Sequence, residues 1–127
     1  MNAIGKTLII SNDFVFNELM ATMIKQFSKN NDITKISSYN ELRELENLEE
    51  TDLILLSDMV EGARGSTVLE YLRYNKKIIC PIGFFCEDIP DLRLKALKRG
   101  ANYCYKRPFK PDIIVLDILK KANVEIK

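Results

Sequence analysis

The sequence predicts an α/β fold in which a mostly parallel sheet is covered by helices on both faces, and three observations lead to it. Short continuous apolar runs alternate five times with segments whose apolar residues recur every three or four positions, the pattern of strand followed by helix. The length of 127 residues fits one domain, residues 1–127. The 5 Gly and 4 Pro stand singly, so no linker divides the chain. Right-handed crossovers between successive strands then make these strands parallel.

Five short segments are predicted as strands; the first is an apolar run too short to be a buried helix, and the second has the weakest strand pattern. They are Thr7–Ile10, Ile33–Ile36, 53–56, 78–82 and 102–105. The third run is the most apolar of the five. Pro81 lies within the fourth run and removes one backbone donor, which predicts an edge position or an irregular exit for that strand.

Five segments with helical spacing of apolar residues follow these strands. They are centred on residues 15–27, 42–48, 68–72, 92–97 and 113–119. Asn40 is the predicted N-cap of the second helix, and Gly62 and Gly65 mark a loop before the third. Gly100 ends the fourth helix in the left-handed conformation, and Pro111 opens the fifth in its first turn.

The composition excludes several classes of chemistry. The sequence contains no histidine, which removes Ser-His-Asp and Cys-His nucleophile systems, histidine-ligated metal sites and a phosphohistidine carrier. The formal net charge of +1 gives no overall field that would recruit nucleic acid or a membrane. We therefore expect no membrane partner, and a nucleic-acid role is disfavoured.

Three cysteines, Cys80, Cys86 and Cys104, form no C-x-x-C pair and are odd in number. This favours a reducing compartment over a disulfide framework, and small buried hydrophobic side chains over redox chemistry. Lys6 interrupts the first apolar stretch, so no signal peptide is predicted. The expected location is cytoplasmic.

The charge is divided between the two halves of the chain. Residues 1–62 hold five basic and eleven acidic residues, a sum of −6, whereas residues 63–127 hold fourteen basic and seven acidic residues, a sum of +7. This division is compatible with chance differences between helix surfaces, and also with a basic surface that meets an acidic partner.

The order of the elements predicts where a site would lie. In a doubly wound sheet the ligand crevice lies at the carboxyl ends of the strands that flank the reversal of strand order. For five strands in the order 2-1-3-4-5 these are the first and third strands. They are followed by Ser11-Asn12-Asp13 and by Ser57-Asp58.

Three segments in the same order resemble response-regulator receiver domains. The run from Thr51 through Ser57 to Gly65 resembles their third-strand segment, and Gly100 to Pro111 resembles their fifth-strand segment with its Lys-Pro-Phe ending. Residues 6–20 align without gaps to the first strand and helix. The resemblance covers nearly the whole chain and identifies a degenerate member of the CheY-like superfamily. It implies a flavodoxin-like fold, a doubly wound five-stranded parallel sheet of order 2-1-3-4-5.

The resemblance also assigns roles, and the residues at those positions differ from the family pattern. The family uses two acidic residues for Mg²⁺, an aspartate as phosphoryl acceptor, a hydroxyl, a lysine and a switch aromatic. The corresponding positions here are Ser11 and Asn12 for the acidic pair, Ser57 for the acceptor, Gly83 or a neighbour for the hydroxyl, Arg107 for the lysine and Cys104 for the aromatic. Tyr103 and Tyr105 are expected to face away from the Cys104 side of the strand.

These replacements predict the loss of phosphoryl chemistry. Three carboxylates become neutral groups, so Mg²⁺ binding is expected to be lost or very weak, and we expect no cofactor. Ser57 has no neighbouring base that would make it a nucleophile. Two alternatives stay open: Asp58 as acceptor, although strand alternation points its side chain away from that of Ser57, or a register that places Asn12 and Asp13 on the acidic pair.

Arg107 carries a permanent charge that is costly to leave buried and unpaired. We expect it to pair with Asp13 or Asp58 and hold the crevice in one state; the alternatives are that it holds an anion or lies on the surface with its charge in solvent. A distance beyond hydrogen bonding from both carboxylates would contradict the pairing.

The predicted function is a phosphorylation-independent protein-interaction module of two-component (phosphorelay) signalling, and not an enzyme. Its expected partner surface comprises Arg93, Lys95, Lys98, Arg99, Tyr103, Tyr105, Lys106 and Lys110, and a homodimer through the same surface is compatible with the sequence. One alternative is a receiver that is phosphorylated on Asp58 or Asp13. The other is a small enzyme or flavin carrier, which is disfavoured because the turn from Ser11 to Phe16 has no glycine to cradle a phosphate.

Overall fold

A five-stranded parallel sheet forms the centre of the computed structural model, which describes residues 5–29, 32–124 and 126–127. The strands are β1 (Thr7–Ile10), β2 (Ile33–Ile36), β3 (Leu53–Ser57), β4 (Ile82–Glu87) and β5 (Tyr103–Arg107). Their spatial order is β2-β1-β3-β4-β5, and every neighbouring pair is parallel. The predicted fold class and strand order are confirmed.

Helices cover both faces of this sheet. They are α1 (Phe14–Phe27), α2 (Tyr39–Glu44), α3 (Gly65–Glu70), α4 (Pro90–Lys98) and α5 (Pro111–Lys121). One core lies beneath α1 and α5 and contains Met20, Phe85 and Ile118, all fully buried. The other lies beneath α2, α3 and α4 and contains Leu42, Leu69 and Phe84. Among the described residues, no helix is long and apolar enough to cross a bilayer.

The fourth strand lies four residues later than the prediction. The predicted run at residues 78–82 is mostly a connection, in which Ile79 is 95% exposed and the Ile78 carbonyl accepts a hydrogen bond from Arg73 Nη1 at 2.7 Å. The strand begins after Pro81 because proline has no backbone donor for the ladder. The carbonyl of Pro81 still accepts from the Ile54 backbone N–H at 3.0 Å, so the proline marks the entrance to the strand.

Two helices differ from their predicted limits. Ser38 is the N-cap of α2, in place of the predicted Asn40, because its side chain accepts from the Glu41 backbone N–H at 3.1 Å. The helix ends at Glu44, and Leu48 belongs to a separate 3₁₀ turn, Leu48–Glu50. The third helix continues from α3 as one π-helical turn, Tyr71–Asn75, which buries the predicted core residue Leu72.

A short antiparallel ribbon, Met59–Val60 with Ala63–Arg64, separates β3 from α3 and was not predicted. Gly62 lies in its turn with a φ of +88°, a conformation that favours glycine. The ribbon is tied to the loop before α2, because the Tyr39 and Glu61 backbone N–H groups donate to the Glu61 and Ser37 carbonyls at 2.9 and 3.0 Å. The Met59 carbonyl of the ribbon also accepts from the Asn12 backbone N–H, so the ribbon lies beside the carboxyl end of β1.

Candidate functional site

Ser11 follows β1 and is completely buried. Its backbone N–H continues the ladder to the Ile36 carbonyl at 3.1 Å, and its Oγ accepts from the Asp13 backbone N–H at 3.0 Å. Its carbonyl accepts from the Asn17 side-chain amide at 2.8 Å. Hydrogen bonds from Asp13 and Asn17 thus hold Ser11 in place, and the bond from Asp13 is accepted by the Ser11 hydroxyl oxygen.

Asn12 and Asp13 occupy different roles in the same turn. The Asn12 backbone N–H donates to the Met59 carbonyl at 2.6 Å, and Asn12 itself is exposed. The Asp13 carboxylate is the N-cap of α1, because Oδ1 accepts from the Val15 and Phe16 backbone N–H groups at 3.0 and 3.2 Å. Asp13 is therefore committed to the helix terminus, which argues against the alternative register in which it would serve the crevice.

Ser57 ends β3, is 2% exposed and lies in register with Phe85 of β4. Its Oγ accepts from the Met59 backbone N–H at 3.0 Å and lies 3.4 Å from Asp58 Oδ1, to which it donates. The position that the resemblance assigns to the phosphoryl acceptor therefore holds a neutral, buried hydroxyl with partners on both sides.

The predicted ion pair of Arg107 is present, and its partner is Asp58. Arg107 Nη2 donates to Asp58 Oδ1 at 2.7 Å, while Nη1 donates to the Phe85 carbonyl at 3.3 Å. The two side chains are 26% and 15% exposed. The guanidinium thus joins the carboxyl ends of β3, β4 and β5 across the crevice.

The expectation that Asp58 points away from Ser57 is wrong. Alternation applies only along a regular strand, and β3 ends at Ser57. The chain turns at Asp58, whose backbone N–H donates to the Phe85 carbonyl at 2.9 Å, and this turn places its carboxylate beside the Ser57 hydroxyl. Asp58 is a residue of the crevice.

Gly83 was predicted at or near the hydroxyl position, and the structure places it elsewhere. It is the second residue of β4, opposite Leu55 and Tyr103, and a Cβ there would approach Ile118 Cδ1 to 2.2 Å. Its role is close packing against α5. The strand reaches the crevice edge at Cys86 and Glu87, which are paired with Lys106 and Arg107. Burial raises the pKa of Cys86 to about 11, so this thiol stays protonated at neutral pH.

The switch position, Cys104, lies on the opposite side of β5 from Tyr103 and Tyr105, as predicted. Its thiol donates weakly to the Arg93 carbonyl of α4 at 3.8 Å, and burial raises its pKa. Tyr105 is 9% exposed and stacks on Phe85 with ring centroids 5.2 Å apart. Tyr105 belongs mostly to the core beneath α5 and also lines the groove between α4 and α5, so it adds little exposed surface to the predicted partner face.

The Tyr105 hydroxyl donates to Asp117 Oδ2 at 2.8 Å, and Lys121 Nζ lies 2.9 Å from the same oxygen. The hydrogen bond from Lys121, followed by that from Tyr105, lowers the pKa of Asp117 below its usual 3.8. A carboxyl with a lowered pKa in the folded state stabilises the fold above its unfolded pKa, and this contribution is lost as pH falls through the folded pKa.

We therefore predict that Asp117→Asn lowers the free energy of unfolding at neutral pH. The loss is about 1 kcal/mol or less, because the pair is partly solvated. The difference from the wild-type protein shrinks as the pH falls below 3.8. Urea unfolding over a pH series measures it. Tyr105→Phe removes only the second donor and gives a smaller pH-dependent difference, and a difference that grows in acid contradicts the assignment.

The residues of the crevice do not fit Mg²⁺. This ion requires anionic oxygen ligands in octahedral geometry, beside its waters. The Ser11 and Ser57 oxygens each accept a backbone hydrogen bond, and the Asp58 carboxylate is neutralised by Arg107. Among the described residues, no group of three or more acidic or cysteine side chains is placed to hold a metal ion.

A second surface of interest lies at the β5 edge, between α4 and α5. A groove of about 500 Å³ there is lined by Arg93, Cys104, Lys106, Phe109, Ile113 and Ile114, among others. Arg93, Lys95, Lys98, Lys106 and Lys110 are exposed and together form the basic face. Arg99, predicted with them, is half-buried and paired with Glu70. Tyr103 is also half-buried, under the Lys121 ammonium.

The exposure of three apolar residues beside the crevice was not predicted from the sequence. Phe14 and Val15 begin α1 and are 74% and 70% exposed, and Met59 is 45% exposed. Helical spacing assigned Val15 to the buried face, but the cap at Asp13 turns the first residues of the helix outward. No sequence signal distinguishes them, because their apolar character predicts burial.

No protein-family model matches the sequence, and no curated protein matches it. Solved structures do match. The non-phosphorylated HemR receiver domain from Leptospira biflexa superposes with a TM-score of 0.82 at 17% identity, over 94% of this chain and 95% of that one. The Francisella response regulator 1452 receiver domain superposes with a TM-score of 0.79 at 21% identity, over 94% of this chain and 97% of that one. The chain has the receiver-domain fold.

A CheY-like receiver domain protein from Methanospirillum hungatei JF-1 matches equally well, with a TM-score of 0.80 at 16% identity over 95% of both chains. The predicted flavodoxin-like, CheY-like architecture is thereby confirmed. In this receiver fold, the crevice is the region at the carboxyl ends of β1, β3 and β5 that holds Ser11, Ser57, Asp58 and Arg107.

Proposed function

We propose that this protein is a degenerate receiver domain that acts in two-component signalling as a protein-interaction module without acyl-phosphate chemistry. It works as a binding partner in the cytoplasm and not as an enzyme. It needs no cofactor, and its output comes from its abundance and its contacts. The receiver fold supports the signalling context, and the crevice residues support the independence from phosphorylation.

The observation that carries this proposal is the ion pair between Arg107 and Asp58. Phosphoryl transfer requires a metal and fixed cations that neutralise the developing charge. Here the fixed cation is already neutralised by a carboxylate at 2.7 Å, and the position of the acceptor is a serine. The carboxylate beside this hydroxyl, Asp58, is already engaged by Arg107, so it does not serve Ser57 as a free base, and a serine hydroxyl without a free base is a poor nucleophile.

The test is incubation of the purified protein with Mg²⁺ and acetyl phosphate, followed by intact-mass measurement. We expect no stoichiometric gain of one phosphoryl group. The positive control is the variant Ser11→Asp/Asn12→Asp/Ser57→Asp of the same chain, which restores the three carboxylates. A full adduct on the wild-type protein would overturn the proposal.

The same measurement addresses phosphorylation on Asp58, which its position in the crevice makes the specific alternative. An adduct that disappears in Asp58→Asn but persists in Asp13→Asn would assign Asp58 as an unconventional acceptor. An adduct lost only in Asp13→Asn would assign the N-cap carboxylate. Absence of an adduct in the wild-type protein, together with a full adduct on the positive control, supports the interaction module.

The proposed working surface is the basic face together with the groove beside it. Protein partners that recognise it would carry acidic side chains, because among the described residues no carboxylate pairs with Arg93, Lys95, Lys98 or Lys110. Leu94 and Leu97 lie three residues apart on α4 and are 53% and 45% exposed. They supply apolar contact area between the cations.

A further inference from the structure

The two charged regions of the chain lie at opposite ends of one face of the sheet. On this face, the Tyr39 and Tyr71 rings join α2 to the end of the third helix with centroids 5.5 Å apart, and α3 in turn contacts α4. The order of helices is therefore α2, α3, α4. The five strands, spaced about 4.8 Å apart, place the edge strands β2 and β5 about 19 Å from one another.

The end at α2 is acidic. Residues 32–52 contain seven acidic and two basic residues, a sum of −5. The acidic edge is formed by Glu41, Glu44, Glu46, Glu49 and Glu50, all of them exposed. Glu50 pairs with Lys6, and the Glu41 carboxylate accepts hydrogen bonds from the Ser37 backbone N–H and hydroxyl, but in the part of the chain that the structure describes no cation pairs with Glu46 or Glu49.

The end at α4 and β5 is basic. Residues 87–110 contain seven basic and three acidic residues, a sum of +4, of which Arg99 and Arg107 are paired with Glu70 and Asp58 from outside this range. At physiological ionic strength charges are screened over about 8 Å, so the two ends of this face do not neutralise each other within one molecule. Each charged end of this face can therefore bind a surface of opposite charge on another molecule.

We propose that the groove between α4 and α5, with the basic face around it, binds the acidic edge of a second copy of this chain in a head-to-tail arrangement. This inference deepens the proposed function, because it names a partner for the basic face. Self-association through two identical basic faces would instead place like charges against each other, which costs free energy. The isologous homodimer compatible with the sequence is therefore disfavoured.

Exposed apolar residues on the basic face add hydrophobic contact area to the charge complementarity of this contact. Leu94 and Leu97 project from α4, and Ile113, 56% exposed, lies at the groove on α5. On the acidic edge, Tyr39 and Leu45 are half-buried and keep part of their surface accessible. A heterologous contact of this kind leaves one free end on each molecule, so association continues into open chains or closed rings as the protein concentration rises.

Sedimentation velocity at two salt concentrations tests this proposal. We expect the average mass to rise with protein concentration at about 0.01 M salt, where the screening length is about 30 Å. It should return to the monomer at about 1 M salt, where that length is about 3 Å. A protein that stays monomeric at low salt overturns the proposal.

Two matched variants define the contact. Lys95→Gln/Lys98→Gln removes charge from the basic face, and Glu46→Gln/Glu49→Gln removes it from the acidic edge. Each alone should weaken self-association roughly tenfold or more. An equimolar mixture should form a one-to-one complex that does not extend, because each variant retains only one intact end.

Other outcomes point to other partners. Stronger self-association of Lys95→Gln/Lys98→Gln would indicate an isologous contact and overturn the head-to-tail arrangement. A monomer that binds phosphatidylglycerol vesicles, with binding lost in the lysine variant alone, would assign the face to an anionic membrane instead. None of these measurements involves phosphorylation, so the phosphoryl-independent function and the self-association can fail separately.

Discussion

We expect Arg107→Met to lower the free energy of unfolding by about 2–3 kcal/mol, as measured by urea denaturation. Removal of one partner from a buried ion pair costs about 3–5 kcal/mol because the other charge is left uncompensated in a poorly solvated place. The Arg107 and Asp58 side chains remain 26% and 15% exposed, so the cost falls below that range. Among the described residues, the Asp58 carboxylate would then keep one side-chain partner, the Ser57 hydroxyl at 3.4 Å.

The matched control is Lys106→Met, which removes a neighbouring cation from the same strand. Lys106 is exposed and lies 3.5 Å from Asp88, so its loss should cost less than about 1 kcal/mol. The double variant Asp58→Asn/Arg107→Met should be less destabilised than the two single variants added together, since both charges are gone. Equal effects of the Arg107 and Lys106 variants would show that the crevice pair does not hold the strand ends together.

The second large effect concerns metal binding. Without a divalent ion, we expect the variant Ser11→Asp/Asn12→Asp/Ser57→Asp to have a lower thermal midpoint than the wild-type protein. The reason is that the variant brings carboxylates together where there is little solvent, since Ser11 is 0% and Ser57 2% exposed. Mg²⁺ should reverse this fall. At 100 times its dissociation constant, a ligand that binds only the folded state adds about 2.7 kcal/mol, which for a chain of this size shifts the midpoint by about 5–10 °C.

The wild-type protein is the control for this experiment, and its midpoint should be unchanged by the same Mg²⁺ concentration. The single variant Ser57→Asp separates the contribution of the acceptor position from that of the pair after β1. If Mg²⁺ stabilises the wild-type protein as strongly as the triple variant, the crevice residues hold the ion in spite of their neutral side chains. The interpretation of the crevice as unable to bind Mg²⁺ would then be wrong.

Elements with strong local signals could be predicted to within a residue or two. The β1 limits matched because its continuous apolar run reflects burial on both faces of a parallel sheet, whereas β2 matched its predicted limits as an edge strand with Thr34 and Lys35 exposed. Pro111 opens α5 and Gly100 has a φ of +113°, as their backbone preferences indicated. The fourth strand was misplaced because residues 78–82 and Ile82–Glu87 are equally apolar, and only packing distinguishes them.

The residue types in the crevice could be predicted from the sequence, but the pairing of their side chains could not. The absence of carboxylates at Ser11, Asn12 and Ser57 is a property of the sequence. The choice of Asp58 over Asp13 as the partner of Arg107 depends on where the chain leaves β3 and on the use of Asp13 as a helix cap. Both are local backbone geometries that alternation rules do not cover.

The sequence by itself determined the order of strands and helices, the neutral character of the crevice and the division of charge along the chain, because each is written in residue type and spacing. Only the tertiary structure decided which groups meet. It joined residues 49 positions apart in the pair of Asp58 with Arg107, buried Tyr105 in the core, and placed the acidic and basic segments at opposite ends of one sheet face. The physical reason is that side-chain contacts follow from strand order and backbone direction, which arise from packing of the whole chain and not from local preference.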